Sequence, residues 1–181
     1  MKNYKRFNRR YIGENKEKKM NFRLGTNEDL NEICEVLKEV VKNKDKGMNW
    51  SELYPNREVF QGDIDNKHLY VLENKEILGV VVLNSIEDPN YKNIIWENNE
   101  NYLVIHRIFT SYKVRGEGYG KVLIEKSIEV AKENNLKSIR LDTFSKNISA
   151  QEFYKKRGFK YVGTVNLQGK PGDFYCYELL L

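Results

Sequence analysis

The stretch from Arg115 to Leu123, RGEGYGKVL, joins an apolar segment to an amphipathic one through a turn that contains three glycines. The segment before it, Tyr102 to Phe109 (YLVIHRIF), is typical of a β-strand. The segment after it repeats small and apolar residues at helical spacing, at Gly120, Leu123, Ile124, Ser127, Ile128 and Ala131. Glycines let a backbone approach a ligand closely, and the free N–H groups of a helix's first turn attract anions. The turn therefore predicts a phosphate-binding site where a helix begins.

The spacing of the glycines excludes two common phosphate-binding loops. A dinucleotide-binding fingerprint needs glycine at its first, third and sixth positions, and the sixth position here is Lys121. A nucleoside triphosphate loop needs Ser or Thr after the Gly-Lys pair, and this chain has Val122. What remains is the pattern Arg-x-x-Gly-x-Gly, formed by Arg115, Gly118 and Gly120. Taken alone, the same glycines are also compatible with a tight connection that binds nothing.

A second informative segment runs from Asn147 to Phe159, NISAQEFYKKRGF. Ser149 and Glu152 are spaced as a capping box, and Gly158 is expected to end the helix. The sequence therefore predicts a helix of about two turns at this place.

Together, and in this order, the two segments resemble the signatures of the GCN5-related N-acetyltransferase (GNAT) family. Arg115, Gly118 and Gly120 match its acetyl-CoA pyrophosphate motif, and Asn147 to Phe159 match its Asn-x-x-Ala-x-x-x-Tyr-x-x-x-Gly-Phe segment. The resemblance implies a single-domain α/β (α+β) fold with a mixed central sheet of about seven strands flanked by about four helices. It also implies an acyltransferase that moves an acetyl group from acetyl-CoA to a primary amine of a small molecule or protein, without a metal.

The resemblance assigns the acetyl-CoA contacts residue by residue. It places the pantetheine arm in a slot where the fourth and fifth strands separate, against the backbone of Ile108, Phe109 and Thr110. It places the pyrophosphate on the N–H groups of residues 116 to 121, with the positive charges of Arg115 and Lys121 as support. The residues of this turn are Arg115, Gly116, Glu117, Gly118, Tyr119, Gly120 and Lys121. Asn147 and Tyr154 complete the predicted cosubstrate site.

Amide formation needs a base for the amine, an acid for the departing thiolate and a donor to the oxyanion, which the N–H of Ile108 or Thr110 could supply. Tyr154 is the predicted acid, because a phenol with a pKa of about 10 stays protonated at neutral pH. The other interpretation of Tyr154 is a core aromatic residue. The candidates for the base are His106, Glu87, Glu52 and Asp142. Asp142 could instead form an ion pair with Arg107 or Arg140.

The fourth strand carries two polar residues among apolar ones. Strict alternation would place Tyr102, Val104, His106 and Ile108 on one face, and Leu103, Ile105, Arg107 and Phe109 on the other. The acceptor pocket of the resembled family is built from dispersed loops. By position in such loops, the predicted lining residues are Trp50, Leu53, Tyr54 and Tyr91. The sequence does not identify the acceptor.

The remaining pattern predicts the element order β-α-α-β-β-β-α-β-α-β-β across residues 20–181. The predicted strands are Asn21–Leu24, His68–Leu72, Ile77–Leu83, Tyr102–Phe109, Ser138–Phe144, Tyr161–Val165 and Phe174–Leu180. An apolar stripe from Leu30 to Val41, preceded by a capping box at 26–29, and a segment from Arg57 to Ile64 predict the first two helices. The strand at Ile77–Leu83 is nearly all apolar, so we expect it to be central and buried on both faces.

The positive charge of the chain is concentrated at one end. The 181 residues carry a net charge of +5, whereas residues 1–19 alone hold eight Lys or Arg and two Glu, which gives +6 and leaves −1 for the rest. Residues 1–19 are therefore predicted to be a basic, disordered extension, and residues 20–181 to be the N-acetyltransferase domain. A nucleic-acid-binding arm is the less favoured interpretation of the extension.

The distribution of apolar residues and the number of cysteines argue against a membrane protein and against a metal or disulfide framework. The chain lacks both a run of roughly 18 apolar residues and an apolar stretch behind its charged amino terminus, so a cytoplasmic protein without a membrane partner is expected. The two cysteines, Cys34 and Cys176, are too few and too distant in sequence for a metal or disulfide framework. A homodimer is expected by family analogy alone. An acyl-CoA sensor without turnover remains the alternative function.

Overall fold

A seven-stranded mixed sheet flanked by four helices runs through the computed structural model, which describes residues 20–44, 47–51 and 53–181. The strands are β1 (Asn21–Leu24), β2 (Leu69–Glu73), β3 (Ile77–Asn84), β4 (Tyr102–Thr110), β5 (Ser138–Phe144), β6 (Lys160–Val165) and β7 (Phe174–Leu180). The helices are α1 (Leu30–Lys42), α2 (Arg57–Asp65), α3 (Tyr119–Glu133) and α4 (Ile148–Lys155). The predicted fold class and element order are confirmed. The predicted extension at residues 1–19 and the candidate base Glu52 lie outside the described residues.

The strand order is β1-β2-β3-β4-β5-β7-β6, and β4 and β5 form its one parallel pair within the described residues. Their pairing runs from Tyr102 opposite Ser138 to Ile105 opposite Leu141 and then stops, although β4 continues to Thr110 and β5 to Phe144. The two strands therefore separate toward their carboxyl ends. This confirms the predicted slot between them.

Each face of the sheet is covered by two of the four helices. On one face, β4 residues Leu103 and Ile105 belong to the same buried cluster as Leu123 of α3 and Tyr154 of α4. On the other face, α1 and α2 cover a second cluster that includes Phe60. Residues 77–83 of β3 are all buried, as predicted for a strand covered on both faces.

The predicted alternation of faces along β4 is wrong beyond His106, because the strand contains a bulge. Phe109 lies opposite Val80 and His106 opposite Val82, so β4 has one residue more than β3 over this interval, and Arg107 has a φ of +28°. Phe109 consequently packs on the α1 and α2 face, whereas Ile105 packs on the opposite face. The bulge lies where β4 leaves β5, and it redirects the side chains at the mouth of the slot.

The two predicted capping boxes have different outcomes. At α4 the cap is Asn147, whose Oδ1 accepts the N–H of Ala150 at 3.2 Å, so the predicted box of Ser149 and Glu152 is wrong. At α1 half of the predicted box is present, since Oδ2 of Asp29 accepts the N–H of Thr26 at 2.7 Å. Asn147 lies three residues after the end of β5, so its cap starts α4 close to the separated ends of the strands.

Candidate active site

A cavity of about 170 Å³ lies between the separated ends of β4 and β5. Its walls come from β4, β5, α4, β7 and two loops, and the lining residues are Met48, Asn49, Trp50, Tyr54, Ile105, His106, Arg107, Ile108, Asp142, Thr143, Phe144, Asn147, Ala150, Tyr154, Lys170 and Phe174. The structure thus brings together the predicted site residues Trp50, Tyr54, His106, Asn147 and Tyr154. Glu87, Leu53 and Tyr91 are not among the described lining residues.

A second cavity of about 170 Å³ lies next to the first, because Met48 and Ile108 line both. Phe109, Thr110 and Arg115 also line it, so it extends along β4 toward the glycine turn. Ile108, Phe109 and Thr110, which were predicted to contact the pantetheine arm, thus line these two cavities.

The glycine turn presents backbone donors at the start of α3. Gly116 and Gly118 have φ values of +85° and +93°, and Gly118 is the N-cap residue of this 15-residue helix. In the described part of the chain, the N–H groups of Gly116, Gly118, Tyr119 and Gly120 make no hydrogen bond. Four free N–H groups at the positive end of a helix dipole fit a phosphate group.

Two of the six predicted phosphate donors are already used inside the turn. The N–H of Glu117 donates to the carbonyl oxygen of Val114 at 3.3 Å, and that of Lys121 donates to the carbonyl oxygen of Gly118 at 2.9 Å. Gly120 has a packing role as well, because a Cβ atom there would lie 3.3 Å from two ring atoms of Phe153. A glycine at this position therefore lets α3 and α4 approach closely.

Tyr154 projects from α4 into the cavity and is otherwise enclosed. Its side chain is only 6% exposed, and its ring contacts the rings of Phe153, Phe159 and Tyr177. Burial raises the pKa of the phenol above its ordinary value, and within the described residues the hydroxyl has no hydrogen-bond partner. Tyr154 is thus a protonated phenol whose hydroxyl is available to a bound molecule.

Asp142 on β5 is the carboxylate of this cavity. Its Oδ2 accepts a hydrogen bond from the hydroxyl of Tyr91 at 2.7 Å, and Tyr91 is buried behind it. Burial raises the pKa of Asp142, while the Tyr91 hydrogen bond and the positive charge of Lys170 oppose that rise. The suggested ion pairs of Asp142 with Arg107 or Arg140 are wrong, because both arginines have other partners.

Those two arginines stabilise the surroundings of the cavity. Arg107 forms a two-pronged ion pair with Asp63, with Nη2–Oδ1 and Nε–Oδ2 distances of 2.6 and 2.9 Å, and its Nη1 lies 3.2 Å from the hydroxyl of Tyr54. Arg140 pairs with Glu87 and lies 4.2 Å from the ring centroid of Trp96. Arg140 therefore fixes the connection between β3 and β4, which also carries Tyr91.

His106 is held as a neutral imidazole. Its Nε2 lies 3.0 Å from Oδ1 of Asn84 and 3.1 Å from the carbonyl oxygen of Ile86, so with two acceptors beside it this nitrogen is assigned the proton. Burial, assisted by the charge of Arg107, lowers the pKa of His106 to about 4. The histidine is consequently a weak base.

Lys170, on the connection between β6 and β7, was not predicted from the sequence. Its Nζ lies 4.7 Å from the ring centroid of Tyr54 and 5.9 Å from that of Phe174. The sequence shows here only a Gly-Lys-Pro-Gly turn, which looks like any surface turn. Its place in the cavity depends on how the β6–β7 connection folds back over the sheet.

A membrane-spanning helix and a metal-binding cluster are both absent from the described residues. No helix there is long and apolar enough to cross a membrane. Groups of three or more His, Cys, Asp or Glu that could hold a metal ion are likewise missing from that part of the chain.

Comparison with known proteins places this chain in a family. The sequence profile of the acetyltransferase (GNAT) family matches residues 34–159. The crystal structure of a GNAT-family acetyltransferase from Streptococcus agalactiae is 26% identical, with a TM-score of 0.76 over 90% of this chain and 95% of that one. YesJ from Bacillus subtilis, named as an uncharacterized N-acetyltransferase, is 24% identical over 125 residues, which cover 66% of this chain and 69% of YesJ.

A further relative is named by its product. N-acetylaspartate synthetase from Xenopus tropicalis is 32% identical over 102 residues, which cover 56% of this chain and 33% of that protein. The family profile covers well over half of the chain, and the mixed seven-stranded sheet with four helices matches the fold of GNAT acetyltransferase structures. This chain belongs to the GNAT acetyltransferase family.

Proposed function

We propose that this chain transfers the acetyl group of acetyl-CoA directly to a primary amine, with no covalent intermediate on the protein. Membership of the GNAT family supports N-acetyltransferase activity in general. The observation that carries the proposal is the arrangement of Tyr154 in a cavity between β4 and β5, in line with a turn of four free N–H groups. Acetyl-CoA supplies an acetyl group already activated as a thioester.

The glycine turn is proposed to bind the pyrophosphate. The N–H groups of Gly116, Gly118, Tyr119 and Gly120 would donate to its oxygens, because they have no partner within the described residues. The backbone of residues 108–110 would bind the pantetheine arm. The N–H of Ile108 or Thr110, at the bulge where β4 leaves its neighbour, is proposed to hold the oxyanion.

Tyr154 is proposed as the acid that protonates the departing sulfur. Its raised pKa keeps the proton on the phenol at neutral pH, and a thiolate released into the same apolar surroundings would be more basic than in water and so would take up that proton. The proposal is supported by the place of Tyr154 in the cavity lining and by the lack of a hydrogen-bond partner for its hydroxyl within the described residues.

Asp142 is proposed as the base that takes the proton of the amine. It lines the same cavity as Tyr154, and its raised pKa brings the carboxylate closer to the range in which a base works efficiently. His106 lines the cavity too but is a weaker base, and Glu87 is bound by Arg140. The roles of His106 and Glu87 stay predictions that the Asp142 assignment makes less favourable.

The test is release of free thiol from acetyl-CoA in the presence of a panel of amines. Amine-dependent thiol release, with the acetylated amine identified by mass spectrometry, is the expected result. Binding of acetyl-CoA without release for any amine would instead support the sensor alternative and contradict the proposal.

A further inference from the structure

The charges around the cavity are unequally satisfied. Arg107 is neutralised by its two-pronged ion pair with Asp63, and the carboxylate of Asp142 accepts the Tyr91 hydroxyl. Lys170 differs from both. Within the described residues no carboxylate oxygen lies within 4 Å of its Nζ; the ammonium lies over the ring of Tyr54, and its charge acts on Asp142 only from a longer distance.

The position of Lys170 is fixed by the loop that carries it. Its own N–H donates to the carbonyl oxygen of Leu167 at 3.1 Å, and the side chain of Leu167 is buried. Asn166 donates to Oδ1 of Asp173 at 2.8 Å, which ties the two ends of the loop together. Oδ2 of Asp88 accepts the N–H of Gln168 at 3.0 Å, which ties the loop to the connection between β3 and β4. The lysine is therefore presented on an anchored loop.

An unpaired ammonium that is partly withdrawn from water is unfavourable until an anion reaches it. The Tyr54 ring offsets part of this cost, and an anion that binds the ammonium would remove the remainder. The same charge repels cations, so an acceptor that carries a second ammonium would be disfavoured at this end of the cavity. Beside Asp142 the preference is reversed, because its carboxylate attracts a cationic amine and repels an anion.

We propose that the acceptor is a small molecule that carries a carboxylate or phosphate as well as its amine, and that Lys170 binds that anionic group. The inference rests on the proposed acetyl transfer and adds the chemical class of the acceptor. Asp142 receives the amine, Tyr154 faces the sulfur, and Lys170 orients the acceptor by its anionic end.

The experiment compares matched acceptors that differ in one charged group. Thiol release from acetyl-CoA is measured with amino acids against their amides, with 4-aminobutyrate against putrescine, and with phosphoethanolamine against ethanolamine. The unmodified chain is compared with Lys170→Met, with the charge-retaining Lys170→Arg, and with Lys38→Met, which removes an exposed lysine of α1. Thermal unfolding of each variant shows whether it is folded.

We expect the unmodified chain to prefer the anionic member of at least one pair by about 10-fold or more in kcat/KM. Lys170→Met should bring that ratio close to one by a loss on the anionic acceptor, Lys170→Arg should keep part of it, and Lys38→Met should leave it unchanged. The first two pairs report a carboxylate and the third a phosphate.

Three results would overturn the inference. Equal or better turnover of the neutral and cationic members would do so while the acetyl transfer stands, and so would a charge preference that Lys170→Met leaves intact. Acetylation of Lys170 itself, seen by peptide mass spectrometry after incubation with acetyl-CoA, would show that Nζ occupies the acceptor position. Failure of every amine to release thiol would be different, because it would contradict the proposed function as well.

Discussion

The proposed cosubstrate region and the proposed acceptor region of this chain are built in opposite ways. The cosubstrate region is contiguous, because the glycine turn and the first turn of α3 supply their groups from the backbone of residues 115–121. The acceptor region gathers side chains that are distant in sequence, including Tyr54, Asp142 and Lys170. Backbone chemistry depends on local φ and spacing, whereas a side-chain site depends on how the whole chain folds. The two regions should therefore respond differently to substitution.

The largest effect should come from Gly118→Val, which attacks the backbone of the cosubstrate region. Gly118 has a φ of +93°, and this conformation is unfavourable for a β-branched residue even where space surrounds it. The free N–H groups would be displaced, and we expect affinity for acetyl-CoA by calorimetry to fall by at least about 100-fold. Gly62→Ala in α2, where an added Cβ meets nothing within 4 Å and the φ is ordinary, is the control. Unchanged affinity in Gly118→Val would remove the turn from the site.

Tyr154→Phe should separate binding from chemistry. Loss of the proton donor is expected to lower kcat by roughly 100- to 10,000-fold, while affinity for acetyl-CoA changes little because the ring stays in place. The assay is thiol release together with calorimetry, and Tyr161→Phe, at an exposed tyrosine of β6, is the control. Turnover at the normal rate would mean that Tyr154 is a packing residue only.

Tyr91→Phe should produce a smaller effect, and one confined to the acceptor region. The Tyr91 hydroxyl stabilises the carboxylate form of Asp142, so its removal raises the pKa of Asp142 further. The acid limb of the kcat/KM profile should therefore move to higher pH, with a loss of roughly 2- to 10-fold at neutral pH and no change in acetyl-CoA affinity. A pH profile that stays in place would show that Asp142 is not the titrating base.

The last expected effect is on stability instead of turnover, and it involves His106. Its pKa is lowered in the folded chain to about 4, so the unfolded chain binds the proton more readily and stability falls as pH drops from about 6.5 to 4. The loss attributable to this residue is up to about 3 kcal/mol in the free energy of unfolding. Urea unfolding across this range should show a flatter dependence in His106→Gln.

His68→Gln, at the only other histidine of the chain, is the comparison variant, because it leaves His106 in place. If His106→Gln keeps the slope of the unmodified protein, the neutral, hydrogen-bonded state assigned to His106 is contradicted. This measurement needs no substrate, so it tests the surroundings of the acceptor cavity independently of catalysis.

Features that depend on local sequence were predicted well, whereas features that depend on contacts between distant residues were not. The order of strands and helices and the glycine turn are visible in hydrophobic periodicity and glycine spacing, and the structure confirms both. The bulge at Arg107 is not visible, because an inserted residue in a strand leaves no mark in an apolar run, and this is why the predicted faces of β4 failed after His106. The cap of α4 was misassigned to Ser149 because the sequence is compatible with two starts of the helix, a capping box at Ser149 and an Asn cap at Asn147.

The acceptor cavity was predictable only in part. Trp50 and Tyr54 line the cavity, and their role in binding an acceptor stays a prediction, whereas Tyr91 lies behind Asp142. The buried pair of Arg107 and Asp63 joins residues 44 positions apart, and no local pattern encodes such a partnership. Lys170 was missed for the same reason. Contacts across the sheet decide which polar residues reach a cavity, and they become visible only in the folded chain.

A crystal structure of the chain with CoA tests the central claim most directly. The account predicts pyrophosphate oxygens at about 3 Å from the backbone nitrogens of Gly116, Gly118, Tyr119 and Gly120, with the sulfur end in the cavity beside Tyr154. A pyrophosphate bound away from that turn, or a sulfur end outside the space between β4 and β5, would contradict it.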